Sequence, residues 1–141
     1  MINMKIEVHR AKDATLITKA DSNHWVVMDS VKKFGGSEAA TKPMEMVLMA
    51  LGGCTSMDVL SLLKKMRVEL DDYDLEVQGE RAEEHPKPFT KIQLDYYFKG
   101  NNLADKKDKI EKAVKLSQEK YCGVSAMLAK TAEINYDIHL E

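Results

Sequence analysis

The sequence predicts an α+β domain, and three observations indicate this class. Apolar and polar residues alternate near the start, in the middle and at the end of the chain, which is typical of half-buried strands. One long apolar segment, from Met44 to about Met66, predicts a buried helix between those strands. The length of 141 residues, without a repeat, a low-complexity tract or a linker, predicts a single domain over residues 1–141.

Short strands and a loop are predicted before the helix. The strands alternate or are rich in β-branched residues, and they cover Lys5–Arg10, Thr15–Thr18 and His24–Met28. Trp25, in the third of them, is expected to anchor a core. The segment Val31–Lys42 contains Gly35 and Gly36 and predicts a loop that could cover a site.

The central helix has a clear start and end in the sequence. Pro43 stands at the helix start, where proline is best tolerated, and Lys64 and Lys65 suit the negative end of the helix dipole. Because the segment is apolar on most faces, we expect a buried central helix. Its densest apolar run, Met46–Cys54, is shorter than the roughly 20 residues that a bilayer needs, so we expect no membrane span.

The second half of the chain predicts further strands and helices. The strands alternate and cover Tyr73–Glu80, Thr90–Phe98 and Ala132–Leu140. The spacing of apolar residues predicts an amphipathic helix from Lys106 to Tyr121. We expect Cys122 and Gly123 to end this helix as a glycine C-cap, and Ser125–Lys130 to form another short helix.

Composition and charge exclude several classes of protein. The net charge of −2, from 21 basic and 23 acidic side chains, gives no bulk attraction to nucleic acid or to an anionic membrane. The first residues lack the apolar core of a signal peptide, which predicts a cytoplasmic protein with reduced thiols. The two cysteines and four histidines are scattered, so no metal site is expected.

The two cysteines are the candidate reactive groups. Gly52 and Gly53 directly precede Cys54, which indicates either tight packing of the helix or access for a small molecule. Cys122 follows the amphipathic helix, and Asp58 lies one turn after Cys54 on the same helix face. Because an aspartate beside a thiol disfavours the thiolate, a reactive cysteine here needs a cation nearby.

Two segments that contain these cysteines, Lys42–Leu60 and Tyr121–Leu128, resemble the OsmC/Ohr family, and more narrowly its OsmC-like branch. The similarity extends over nearly the whole chain in element order and includes Glu84–Phe89. It implies an OsmC-like fold, in which antiparallel strands wrap a central buried helix and two chains form an intertwined homodimer. It also implies thiol-dependent reduction of organic hydroperoxides, with Cys54 as the peroxidatic thiol and Cys122 as the resolving thiol. No bound cofactor is implied, and an external dithiol is the expected reductant.

The family pairs its peroxidatic thiolate with an arginine and a glutamate. Arg10 matches the arginine in chain order, and Lys32 or Lys33 could supply charge without the bidentate geometry of a guanidinium. Glu45 is the candidate glutamate, but it stands one residue later than in the family. On a regular helix it points roughly 180° away from the nucleophile, so capping of the positive helix end is favoured for it.

Apolar neighbours of the nucleophile predict the substrate class and leave alternatives open. Met49, Leu51 and Met57 would favour an alkyl hydroperoxide, although they serve equally as core residues. The alternative function is a non-catalytic dimeric module that binds an apolar small molecule and has structural cysteines.

A third hypothesis is a nucleic-acid binder that stacks bases on Tyr96, Tyr97 and Phe98. Alternation puts Tyr96 and Phe98 on one face and Tyr97 on the other, as in any half-buried strand, and the acidic net charge disfavours this hypothesis.

Overall fold

The computed structural model of the chain describes all 141 residues and confirms the α+β class. The elements follow the predicted order, with three strands, a long helix, two strands, shorter helices and a final strand. The chain divides into two compact units, Met1–Val47 and Leu48–Glu141. The single domain over residues 1–141 stays a prediction.

The first unit contains a three-stranded antiparallel sheet. Its strands are adjacent in chain order and comprise β1 (Ile6–Lys12), β2 (Thr15–Ala20) and β3 (Trp25–Met28). Asp13 and Asn23, beside the two hairpin turns, have φ of 52° and 67°, a conformation that Asp and Asn tolerate better than most residues. The expectation that Trp25 anchors a core was wrong, because its side chain is 58% exposed.

A buried carboxylate organises the loop that follows β3. Asp29 is 2% exposed, and its oxygens accept hydrogen bonds from three backbone N–H groups and one hydroxyl. The donors are Ser30 at 2.7 Å, Ser37 at 3.1 Å, Ala39 at 3.0 Å and the Thr15 hydroxyl at 2.9 Å. Burial opposes ionisation of Asp29, but these hydrogen bonds outweigh it and lower its pKa from 3.8 to about 2.

The central helix α1 covers Pro43–Lys65, close to the predicted bounds. Glu45 accepts the backbone N–H of Lys42 at 3.2 Å, and its other oxygen lies 3.7 Å from the Lys42 ammonium. These contacts form one half of a capping box at the helix start. The capping role that was favoured for Glu45 is therefore confirmed.

Within the second unit, α1 buries one face only. Leu51, Thr55, Val59 and Leu63 recur every fourth residue and are buried. On the other side, Met49, Met57 and Leu60 are 58%, 74% and 41% exposed. The expectation of a helix buried on most faces was thus wrong for the single chain, because only one apolar stripe has partners in it.

The expectation of no membrane-length segment was also wrong, since α1 has 23 residues and a mean hydropathy of 1.7 over its most apolar window. Length and composition alone would let such a helix cross a membrane. The central helix of a folded domain satisfies the same two criteria, so they do not distinguish the two cases.

The second unit is built on a mixed three-stranded sheet of β4 (Asp72–Arg81), β5 (Phe89–Lys99) and β6 (Glu133–Leu140). Strands β4 and β5 are antiparallel, whereas β5 and β6 are parallel, which departs from the all-antiparallel expectation. A parallel pair requires a crossover connection, and the helices between β5 and β6 supply it. On one face of β5, Tyr96 and Phe98 are fully buried, so they pack in the core.

The crossover comprises α2 (Lys107–Leu116), a π-helical turn (Ser117–Tyr121) and α3 (Gly123–Leu128). The predicted amphipathic helix is confirmed, with Ile110 and Val114 fully buried and its last turn widened into the π turn. The predicted glycine C-cap was wrong. Gly123 lacks the positive φ of such a cap and is instead the first residue of α3.

Candidate functional site: a dithiol beside a carboxylate

The glycine pair before Cys54 has two different environments within the second unit. A Cβ atom built on Gly52 would lie 3.3 Å from Cγ2 of Val77, so the absence of a side chain lets β4 approach the helix closely. A Cβ atom on Gly53 would meet nothing within 4 Å. Tight packing therefore explains Gly52, whereas Gly53 leaves open space on the helix surface next to Cys54.

Cys122 is positioned by the junction between the π turn and α3. Its backbone N–H donates to the carbonyl of Ser117 at 2.8 Å, and its extended ψ of 102° makes it the N-cap of α3. The sulfur accepts the backbone N–H of Ser125 at 3.3 Å. A π turn is rare and is often found at functional sites, and here it directs the Cys122 side chain into the core, where it is 3% exposed.

The fold brings three reactive groups of the second unit together. The sulfurs of Cys54 and Cys122 and a carboxylate oxygen of Asp58 all lie within 4.8 Å of one another. Both cysteines are free thiols, with Cys54 half-buried and Cys122 buried. A disulfide bond is about 2 Å long, so a relative movement of less than about 3 Å would join the sulfurs. The arrangement can thus cycle between a dithiol and a disulfide.

A hydrogen-bonded network of side chains supports this group from the protein interior. The Thr55 hydroxyl lies 2.7 Å from the hydroxyl of Tyr96 and 2.7 Å from that of Ser117. Ser117 Oγ also lies in hydrogen-bond range of Asp58, donating to Oδ2 at 3.1 Å. The network therefore fixes the carboxylate that borders the two sulfurs.

Gln118 connects the network to the Cys122 turn. Its amide nitrogen donates to Thr55 at 3.0 Å and to Tyr96 at 3.1 Å, and its amide oxygen accepts the Ser125 hydroxyl at 2.9 Å. No buried side-chain polar atom of the chain lacks a partner. A fully satisfied network of this kind holds its members in one arrangement. The network therefore fixes the position of the helix that carries Cys54 relative to the turn that carries Cys122.

Burial changes the protonation of two members of the site. Burial raises the pKa of the Cys122 thiol above its ordinary value, the nearby Cys54 adds to this, and the hydrogen bonds from Ser125 oppose it. Burial also raises the pKa of Tyr96, so its hydroxyl stays protonated. Cys122 therefore rests as a neutral thiol at neutral pH.

The other predicted site residues lie in different environments. Arg10, on β1 of the first unit, is exposed and forms no ion pair within that unit, and its role as the activating cation stays a prediction. Met49 and Met57 are exposed and stay predicted substrate contacts. Leu51 is fully buried, so as a substrate contact it would require the core around it to open.

Sequence reasoning paired Cys54 with Asp58 but did not find the polar network. Alternation placed Tyr96 and Phe98 on one face of β5, but neither the burial of that face nor the hydroxyl partner of Tyr96 was identified. Ser117 and Gln118 follow a helix with regular apolar spacing. Two uncharged polar residues at this point, on the buried side, were a signal for a polar network in the interior. The π turn that orients the side chains of Ser117 and Gln118 has no signature in the sequence.

Comparisons with known proteins agree with this architecture. Residues 35–137 match the family model described as OsmC-like protein. Protein YhfA from Escherichia coli (strain K12) is 38% identical over 133 residues, which cover 94% of this chain and 95% of YhfA. The crystal structure of a hypothetical protein from Aquifex aeolicus VF5 is 31% identical with a TM-score of 0.80, and the alignment covers 100% of this chain and 99% of that one.

A more distant structure shares the fold. It is an organic hydroperoxide resistance protein from Elizabethkingia anophelis, 14% identical with a TM-score of 0.71, and the alignment covers 100% of this chain and 98% of that one.

Proposed function

Because the chain belongs to the OsmC-like protein family, we propose that it reduces organic hydroperoxides in defence against oxidative stress, using Cys54 and Cys122. The observation that carries this proposal is the convergence of the two sulfurs to within 4.8 Å. The structural relative from Elizabethkingia anophelis is an organic hydroperoxide resistance protein, and this supports the choice of substrate.

The reaction proceeds in two steps that balance in atoms and electrons. The Cys54 thiolate attacks the distal oxygen of the hydroperoxide, the O–O bond breaks, and the alkoxide leaves as an alcohol after taking a proton. Cys54 is then a sulfenic acid. The Cys122 sulfur attacks the Cys54 sulfur, water leaves, and a disulfide forms. An external dithiol supplies two electrons and two protons to restore both thiols.

Positions of the two thiols explain the assignment of roles. Cys54 is half-buried on the helix whereas Cys122 is buried, so a peroxide reaches Cys54 first. Cys122 is 3% exposed and is held by the Ser125 N–H, which suits a thiol that meets only its partner sulfur. The buried thiol captures the sulfenic acid before a second peroxide oxidises it further.

We also propose a homodimer, because one side of α1 carries apolar side chains that have no partners in the single chain. Met49, Met57 and Leu60 are exposed on this side of α1. Gly53 has no side chain there, which would let a second helix approach closely. Single-chain proteins seldom leave such a stripe in water, and a second copy of this chain would cover it. A solution mass equal to one chain at micromolar concentration would contradict the dimer.

The proposed reaction is tested by adding a stoichiometric amount of cumene hydroperoxide to the reduced protein and counting the free thiols. We expect both thiols to be lost in one rapid phase and peptide mapping to find a Cys54–Cys122 link. Hydrogen peroxide added in the same amount should react more slowly. Thiols that persist would support the alternative, a non-catalytic module that binds an apolar small molecule.

Two matched variants separate the roles of the cysteines. Cys54→Ser should abolish peroxide consumption, whereas Cys122→Ser should consume one equivalent and leave a Cys54 sulfenic acid that a dimedone reagent traps. A Cys54→Ser protein that consumes hydroperoxide at the wild-type rate would remove Cys54 from the mechanism. Arg10→Lys and Arg10→Ala test the predicted cation, and both should slow the first step if the guanidinium activates the thiol.

A further inference from the structure

The group of Cys54, Cys122 and Asp58 has the composition of a metal site as well as that of a redox site. Its three ligand-type atoms, two sulfurs and one carboxylate oxygen, lie within 4.8 Å of one another. The sequence predicted no metal site, because the two cysteines are far apart along the chain. The helix and the crossover of the second unit nevertheless bring them together.

The spacing of these atoms is close to what a tetrahedral ion requires. Zinc binds thiolate sulfur at about 2.3 Å and carboxylate oxygen at about 2.0–2.2 Å, which places neighbouring ligand atoms roughly 3.5–4 Å apart. From a separation of at most 4.8 Å, shifts of about 1 Å are enough to enclose an ion. Three protein ligands leave a fourth position for water.

Two of the ligands are already oriented by groups that are not ligands themselves. Ser117 Oγ donates to Asp58 Oδ2 at 3.1 Å and so leaves the other carboxylate oxygen free. The backbone N–H of Ser125 donates to the Cys122 sulfur at 3.3 Å, a hydrogen bond that favours a thiolate ligand. In metal sites, hydrogen bonds from groups that are not ligands usually orient the ligands.

The charge of the group also favours a cation. Two thiolates and a carboxylate would repel one another, and Asp58 forms no ion pair with a basic residue of its own unit. A divalent ion supplies the missing positive charge. Soft thiolate ligands select zinc and its thiophilic relatives over magnesium or calcium.

We propose that the reduced protein binds one thiophilic divalent cation, Zn²⁺ or Cd²⁺, through the sulfurs of Cys54 and Cys122 and the carboxylate of Asp58. Each thiol that binds loses its proton to the solvent as the S–H bond is replaced by a sulfur–metal bond, and no oxidation state changes. A disulfide between the same sulfurs leaves no thiolate ligand. Metal binding and disulfide formation therefore exclude each other.

The test is a titration of the reduced, untagged protein with Cd²⁺ in a buffer that contains a phosphine reductant and no peroxide. Thiolate-to-cadmium charge transfer absorbs in the ultraviolet, so the signal reports the ligands directly and needs no enzyme activity. We expect saturation at one ion per chain and competition by Zn²⁺. The protein in its disulfide form, titrated in the same buffer without the reductant, should give no signal.

Single variants distinguish the three-ligand site from binding to thiols alone. Asp58→Asn should weaken Cd²⁺ binding at least about tenfold, because loss of a ligand costs no less than loss of a supporting group. Asp74→Asn, an exposed aspartate on β4, is the matched control and should bind as the wild type does. Circular dichroism and thermal unfolding verify that both variants are folded.

Several results would overturn this proposal. They are the absence of saturable binding, wild-type affinity in Asp58→Asn, and an unchanged charge-transfer signal in Cys122→Ser. These results do not depend on the proposed reaction, because no peroxide is present in the titration. A protein that loses both thiols to cumene hydroperoxide but binds no Cd²⁺ would keep the proposed function and lose this one.

Discussion

Thr55 Oγ1 and Ser117 Oγ lie 2.7 Å apart, and both residues are completely buried. Thr55 directly follows Cys54 on α1, and Ser117 begins the π turn that leads to Cys122. This one hydrogen bond therefore connects the two segments that carry the sulfurs. The distance between the two sulfurs thus depends on this buried hydrogen bond as well as on the residues that surround the sulfurs.

Removing the Thr55 hydroxyl should destabilise the protein. In Thr55→Val, Ser117 and Tyr96 each lose one buried hydrogen bond, although Ser117 keeps the bond to Asp58 and Tyr96 keeps the bond from Gln118. A hydrogen bond of this kind contributes about 0.5–1.5 kcal/mol, so the free energy of unfolding should fall by about that amount for each bond lost.

Urea unfolding of the reduced protein measures the change. Thr90→Val is the matched control, since the exposed Thr90 hydroxyl bonds the Glu80 carbonyl at 3.2 Å, and its loss should cost clearly less.

The glycines beside Cys54 should respond differently to alanine. A methyl group added at Gly53 meets nothing within 4 Å, so Gly53→Ala should leave the fold of the second unit unchanged. If α1 pairs with a second copy there, Gly53→Ala weakens dimerisation. Gly52→Ala presses on Val77 at 3.3 Å within the same chain and should leave dimerisation unchanged.

Analytical ultracentrifugation over a dilution series distinguishes the two glycine variants. The opposite outcome would be a Gly53→Ala protein that associates like the wild type. If it also gained up to about 1 kcal/mol of stability from the better helix propensity of alanine, this face of α1 would lie in solvent.

Stability should fall in acid through Asp29. The folded pKa of about 2 is below the ordinary value of 3.8, so Asp29 contributes stability above the unfolded value, and this is lost as the pH falls towards 2. Asp29→Asn should unfold more easily at neutral pH and lose less stability between about pH 4 and pH 2. Asp13→Asn, an exposed turn residue of the same unit, should keep the wild-type acid profile.

Alkylation should reveal the protonation of Cys122. Because burial raises its pKa above 9.0, the folded thiol keeps its proton at neutral pH and forms a thiolate only in more alkaline solution. In a Cys54→Ser protein, iodoacetamide should therefore react with Cys122 far more slowly at neutral pH than after unfolding in urea. Equal rates in the folded and unfolded chain would contradict the buried position of this sulfur.

The sequence predicted most of the local structure, because local structure depends on nearby residues. Alternation located β5 and placed Tyr96 and Phe98 on the same face of it, and Pro43 located the start of α1. The register of β6 beside β5 was not predictable, since nothing within Ala132–Leu140 specifies a parallel partner. The exposure of Trp25 was predicted wrongly for a related reason. An aromatic residue suggests burial, but the sequence does not identify the surface that would bury it.

The candidate site was predicted in part. Spacing placed Asp58 on the same helix face as Cys54, and the resemblance to a family identified Cys122. The roles of Ser117 and Gln118 required the path of the backbone through a π turn, which depends on long-range contacts.

The parallel pairing of β5 with β6 has a consequence for how this chain matures. Strand β6 pairs with β5 only after the crossover between them has folded back onto the sheet, so the contact joins residues far apart in the sequence and forms late. Cys122 lies in this same crossover, so we expect its approach to Cys54 to belong to the same slow step of folding.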